Sequence, residues 1–315
     1  MYVITYTAGV TERFLRPDVL VLAGGGTLGE AWMTGLLAGI EDASGVDFRA
    51  VESFVGTSAG SIVAAALAAG TSPRRPGAAP AGNGADEPSA RPGPARAALR
   101  EAARWGWALS APLAGPAAAL GAPGGALARA ALLARAPSAG RRLDGLHRHV
   151  ERAGVRFDGR LRVCCVDKAN GRRVVFGAPG APPASVADAV VGSCAIPWVF
   201  APARIGGRQY VDGGVWSVTN LDVAPAGRGS DVLCLDPSAS LGLAGPRSPS
   251  GVLRQAFRVA AAVEIQVLRG RGARVRHVGP DRAAATLMGP NLMDPGPAQQ
   301  VLAAGFRQGR ALTGG

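Results

Sequence analysis

Residues 18–70 read DVLVLAGGGTLGEAWMTGLLAGIEDASGVDFRAVESFVGTSAGSIVAAALAAG. The run VLVLAGGG is a short, continuously apolar strand ending in a glycine turn, and TLGEAWMTGLLAGIEDA carries the spacing of the helix that follows it. VESFVG then predicts a second strand, and SAGSIVAAALAAG a second helix closed by Gly70. Two apolar strands, each followed by a helix through a short connection, predict a parallel sheet covered on both faces.

Strand signals resume at Leu161 with LRVCCVD, RRVVFG, RQYVDGG and DVLCLD. A helix is expected from about Gly251 to Leu268, then the short strand RVRHVGP and an amphipathic helix over 297–311. Between these halves, residues 71–97 are rich in Pro, Gly and Ala without a hydrophobic period, which predicts a flexible linker. Helical patterns near 98–109, 125–136 and 141–153 predict a cap-like cover. The expected organisation is a single domain over 1–315, with a core of 18–70 and 156–311 interrupted by these two insertions.

The whole chain has 315 residues, 48% hydrophobic, 18% charged and 5% aromatic, with a formal net charge of +12. That apolar content excludes a wholly disordered chain. Cys164, Cys165, Cys194 and Cys234 are too few and too irregularly spaced for a disulfide scaffold and read as buried thiols. The N-terminal MYVITYTAGVTERF lacks the basic and apolar regions of a secretory signal, so a cytoplasmic location is expected. Fourteen arginines against six acidic residues between Thr71 and Arg160 hold most of the positive charge. This is a solvated insert or a surface for anionic lipid headgroups. No nucleic-acid motif accompanies the arginines, and no grouping has metal-ligand spacing. The uncharged stretch Trp105–Ala128 is long enough to span a bilayer, but Pro112, Pro116 and Pro123 and its Ala/Gly content argue against a span.

Three motifs carry chemistry. Gly56-Thr57-Ser58-Ala59-Gly60 fits GxSxG at a strand-to-helix junction, where a sharp turn pushes a serine hydroxyl out of the sheet edge. Gly24-Gly25-Gly26-Thr27-Leu28-Gly29 offers successive backbone N–H groups for an oxyanion. The same residues match the dinucleotide fingerprint GxGxxG, yet the second strand ends in Val55-Gly56 with no acidic residue for a ribose. Asp212-Gly213-Gly214 follows the strand RQYV and is either a simple turn or a carboxylate at a strand end. His147 and His149 read as solvated helix residues and His277 as structural, although a Ser58–Asp212–His277 triad is formally open.

The order of these motifs, glycine turn, GTSAG, then a distant DGG, resembles the patatin-like phospholipase family. The approach to the aspartate, SCAIPWVFAPARIGGRQYVDGG over 193–214, is similar to that family too. The resemblance covers 18–70 and 160–225 and leaves 71–155 unaccounted for. It implies a three-layer α/β/α fold with a mostly parallel central sheet. It also implies hydrolysis of phospholipid or another fatty-acyl ester by a Ser–Asp dyad without histidine; no cofactor is expected, and the basic insert adds an expectation of peripheral contact with an anionic membrane surface. On that reading Ser58 is the nucleophile and Asp212 the proton acceptor. Gly24, Gly25, Gly26 and Thr27 form the oxyanion hole, and Gly29, Gly56, Gly60, Gly213 and Gly214 complete the motifs. One departure stands out: where the family commonly carries Arg or Lys before the last glycine of the turn, this chain has Leu28. The alternative is therefore a catalytically weak or inactive lipid-binding protein on the same fold.

Overall fold

The computed structural model describes residues 14–77, 123–138, 140–239 and 249–313. Its strands are β1 (Val19–Leu22), β2 (Ser53–Thr57), β3 (Leu161–Asp167), β4 (Arg173–Phe176), β5 (Ala203–Ile205), β6 (Arg208–Asp212), β7 (Asp231–Leu235) and β8 (Arg274–Val278). The helices are α1 (Gly26–Ser44), α2 (Ala59–Ala68), α3 (Pro123–Ala134), α4 (Asp144–Arg152), α5 (Val186–Cys194), α6 (Pro249–Gly270), α7 (Arg282–Met288) and α8 (Ala298–Ala311).

β3, β2, β1, β7 and β8 lie side by side and parallel. β4 and β6 pair antiparallel with β3, and β5 pairs antiparallel with β6. β1 is buried along its whole length because both of its faces are covered, which is why VLVL shows no alternation. Leu20 and Leu22 point into a large core with α1, α2, α4, α5, α7 and α8. Val19 and Val21 point the other way, into a core shared with α6. Leu133 of α3 packs on Val166, Val211 and Val215 at the β3–β6 end. The architecture is thus helix, mixed but mostly parallel sheet, helix, as the sequence led one to expect.

β2 and β4 both pair with Val163 and Cys164, so they flank β3 on opposite sides. β4 and β6 both pair with Cys165 and Val166, so β6 must lie on the same side as β2. β2 ends with Thr57 opposite Cys164, and β6 ends with Asp212 opposite the next residue, Cys165. The two strands meet nearly end to end along one edge of β3.

α1 and α8 touch backbone to backbone. A Cβ on Gly35 or Gly39 would stand 2.1 Å from a carbonyl oxygen of α8, and one on Gly309 2.2 Å from the Leu36 carbonyl. The buried Trp32 indole N–H donates to Gln308 Oε1 at 2.8 Å across the same contact.

The expected insertions are seen in part. Residues 78–97, the expected helix near 98–109 and most of the uncharged stretch lie outside the described residues. Among the described residues of the expected linker, Pro73 is buried and Arg74 pairs with the buried Glu30 at 3.0 Å, while Thr71, Ser72, Arg75, Pro76 and Gly77 are exposed. α3 and α4, the described parts of the expected cover, pack on opposite faces of the sheet. α5, β5 and α7 were not anticipated. Among the described residues no helix is long and apolar enough to cross a membrane.

Candidate active site

Ser58 occupies the turn between β2 and α2 with φ 50° and ψ −125°. This left-handed conformation is strained for a residue with a Cβ and persists only where surroundings enforce it. They do so here. A Cβ on Gly60 would lie 2.0 Å from the Leu22 carbonyl oxygen, so only glycine lets α2 start this close to β1. The Ser58 carbonyl accepts from the Ser61 N–H at 2.8 Å and the Ser61 hydroxyl at 2.6 Å. The Ser58 N–H donates to Ser193 Oγ at 2.8 Å, and the Ser193 hydroxyl donates to the Cys164 carbonyl at 2.7 Å. The Ser58 side chain remains half-buried, at the C-terminal edge of the sheet.

Asp212 reaches the same spot because β6 ends where β2 ends. Its carboxyl is 2% exposed and accepts the Gly214 N–H at 2.7 Å. The Ser58 side chain stands near enough to favour its charged form. Burial dominates the balance and pushes the Asp212 carboxyl up to about 7, with the Gly214 N–H and the nearby Ser58 opposing it. Gly213 lies against β3, where a Cβ would come within 2.3 Å of the Cys164 carbonyl oxygen.

The glycine turn borders this pair: a Cβ on Gly24 would be 3.5 Å from Ser58 Cβ. Its four expected amide donors do not behave alike. The Gly24 N–H is spent on the Val218 carbonyl at 2.9 Å, which corrects its expected role to one of positioning. Gly25 caps α1, and Gly26 (φ 59°) and Thr27 are its first residues, whose N–H groups have no acceptor within the helix. The Leu28 N–H donates to the Leu292 carbonyl and the Gly29 N–H to the Gly25 carbonyl, both at 2.9 Å. The amides left for an incoming oxygen are those of Gly25, Gly26 and Thr27.

The family model for patatin-like phospholipases matches residues 20–225, a span that begins in β1 and ends just past the Asp212 loop. This chain belongs to the patatin-like phospholipase family. Among solved structures it is similar to VipD from Legionella pneumophila, at 15% identity and a TM-score of 0.43, covering 99% of this chain and 72% of that one. No curated protein matches the chain.

In this patatin-like chain His277 and His147 pair with carboxylates other than Asp212. His277 Nε2 lies 3.1 Å from Asp236 Oδ2, on β8. Three strand spacings separate β8 from β2, about 14 Å, so the formally possible Ser58–Asp212–His277 triad is not assembled. His147 Nε2 lies 3.1 Å from Asp188, among α4 and α5. All four cysteines are free and buried, and burial raises their thiols. Among the described residues no group of three or more His, Cys, Asp or Glu is placed to hold a metal ion.

Two supporting residues had escaped the sequence reading. Ser193 is the last but one residue of α5 and is fully buried beneath the Ser58 turn. Asn220 (φ 47°) is also fully buried, and its Nδ2 donates to Thr57 Oγ1 (3.1 Å), the Ser217 carbonyl (2.5 Å) and the Gly213 carbonyl (3.4 Å). It ties the end of β2 to the loop after Asp212. Below that loop, the buried Glu264 of α6 accepts from Thr219 Oγ1 at 2.5 Å and the Leu221 N–H at 2.8 Å. Burial first, then the nearby Asp222 charge, raise the Glu264 carboxyl. Sequence offered only a turn-like SVTN for Asn220 and, for Ser193, a small residue on the approach to the aspartate with no helix signal.

Proposed function

We propose that the chain is a serine acyl-ester hydrolase acting on phospholipid, lysophospholipid or another fatty-acyl ester through a Ser58–Asp212 dyad. The observation that carries this reading is a strained, half-buried serine at the strand end where β6 also brings a buried carboxyl raised toward neutrality. An ordinary aspartate is too weak a base to take a serine proton near pH 7, whereas one raised to about 7 is matched to the task. Ser58 Oγ attacks the ester carbonyl while Asp212 takes its proton. The amides of Gly25, Gly26 and Thr27 stabilise the tetrahedral oxyanion. Collapse of that intermediate expels the alcohol, which takes the proton back from Asp212 and leaves an acyl-Ser58 ester. Asp212 then deprotonates a water that attacks the acyl carbon, and the fatty acid departs with Ser58 restored. Family membership supports the lipid substrate, and the arginine-rich region supports peripheral contact with an anionic surface.

Ser58→Ala and Asp212→Ala should each nearly abolish hydrolysis of a medium-chain p-nitrophenyl ester in folded protein. A fluorophosphonate probe should label Ser58 in the wild type. Unchanged turnover in both variants would refute the dyad.

A second reading rests on Leu28, whose side chain is fully buried in the core where the family commonly carries a cation. It makes the chain a lipid-binding protein with little or no turnover. Vesicle co-sedimentation that survives Ser58→Ala, without fluorophosphonate labelling of the wild type, would favour it.

A further inference from the structure

The loop after β7 presses on the candidate oxyanion turn. A Cβ on Gly25 would stand 2.6 Å from Pro237 Cβ, and one on Gly29 would stand 3.0 Å from it. The pyrrolidine ring is therefore seated on the two glycine backbones that begin α1. The residues on either side of it are fixed in turn. The Asp236 N–H donates to the Val278 carbonyl at 2.9 Å. Asp236 Oδ1 accepts from the Ser238 N–H at 2.9 Å and the Ser238 hydroxyl at 2.6 Å, closing a tight turn around Pro237. Asp236 Oδ2 accepts from His277 Nε2, which comes from the edge of the sheet on β8. Asp236 is 4% exposed and both of its oxygens are used. Burial works against its charge, but His277 and Ser238 outweigh it and hold the carboxyl below its usual range. Burial likewise lowers His277, and the Asp236 bond outweighs that and raises it.

We infer that Asp236 and His277 are positioning residues for the glycine turn, acting through Pro237 to hold the Gly25, Gly26 and Thr27 amides where an oxyanion forms. The inference rests on the proposed hydrolysis for its kinetic consequence but not for its structural one. Neither residue touches the dyad, which lies across β1 and β2. Asp236 is buried while His277 lies at an exposed position of β8, and such a pair is a poor source of net stability but a means of fixing one arrangement of the groups around it. Oxyanion donors are sensitive to such placement, since misplacement by about 1 Å costs on the order of a hundredfold in rate.

The test compares Pro237→Ala, Asp236→Asn and His277→Gln with the wild type, each checked for folding by circular dichroism and melting temperature. Two quantities are read: kcat and KM on a p-nitrophenyl ester, and hydrogen exchange of the Gly24, Leu28 and Gly29 amides, which are bonded in the intact turn. Pro237→Ala leaves the ion pair and the Cβ contact intact and removes the ring atom Cγ that also presses on Gly25 and Gly29. It and Asp236→Asn are expected to lower kcat by about tenfold or more with KM little changed, and to speed exchange at the three amides. His277→Gln, which keeps a donor for Asp236, should retain most of both. Folded Pro237→Ala and Asp236→Asn with wild-type exchange at these amides would overturn the inference, whatever their kinetics. If the wild type itself neither hydrolyses esters nor labels at Ser58, the dyad reading fails. The exchange comparison still decides the role of Asp236 and His277.

Discussion

Replacing Ser193 by alanine removes a single oxygen that lies 135 positions from Ser58 in sequence and directly beneath it in space. That oxygen accepts the Ser58 N–H at 2.8 Å and donates to the Cys164 carbonyl at 2.7 Å. In the variant the Ser58 N–H loses its partner in a setting that water reaches poorly. An unsatisfied group of this kind costs about 1–3 kcal/mol. The φ of 50° at Ser58 stores strain of the same order, about 1–3 kcal/mol, which the Ser193 bond helps to offset. The expected loss is therefore about 2 kcal/mol, a fall in melting temperature of about 4–8 °C for a domain of this size. Relaxation of the turn would swing the Ser58 hydroxyl away from Asp212, so kcat should fall well beyond any change in KM. Scanning calorimetry and p-nitrophenyl ester kinetics on one preparation test both halves. A variant that melts within about 1 °C of the wild type and keeps its kcat would refute the idea that Ser193 holds the turn.

The buried Asp212 predicts a pH signature. Its carboxyl, at about 7 in the folded chain against an ordinary 3.8, keeps a proton that the unfolded chain has already lost. Stability therefore falls as pH rises from about 4 to 7 and is penalised by a few kcal/mol above that. Asp212→Asn should melt higher than the wild type at pH 8 and show no such gain at pH 4. Ester hydrolysis by the wild type should rise with pH through an apparent pKa near 7, and a flat profile between pH 5 and 9 would contradict the assignment. Gly60→Ala should fail to give folded protein, because its Cβ would meet the Leu22 carbonyl at 2.0 Å; a soluble, cooperatively melting variant would disprove this. Asn220→Ala should cost about 2–4 kcal/mol by urea denaturation, since it strips donors from Thr57, Ser217 and Gly213 and leaves a non-glycine residue at positive φ.

What could be read in the sequence was what local chemistry writes there. VLVL and SFVGT are apolar runs that only a sheet covered on both sides uses, and the glycines of GTSAG mark a crowded turn whatever lies around it. What could not be read depends on partners far along the chain. VADAVVGSC, the sequence of α5, is short and almost uncharged, so its period is weak, and nothing local marks the Ser193 hydroxyl as a support for position 58. The Gly24 amide looked available because its acceptor, Val218, is nearly two hundred residues away. Pro237, which follows the legible strand DVLCLD, gave no sign that it would sit on Gly25.

The end-to-end meeting of β2 and β6 on one edge of β3 has a consequence for how such a chain tolerates change. The spacing between Ser58 and Asp212 is set by two neighbouring residues of a third strand, Cys164 and Cys165. It is indifferent to the length of the intervening polypeptide, provided that β3 and the underlying α5 keep their seats. Between α2 and β3 the chain is then free to lengthen or drift in composition without altering the geometry of the pair wherever it stands outside the packing of α3 and α4 on the sheet, and diversification is channelled there.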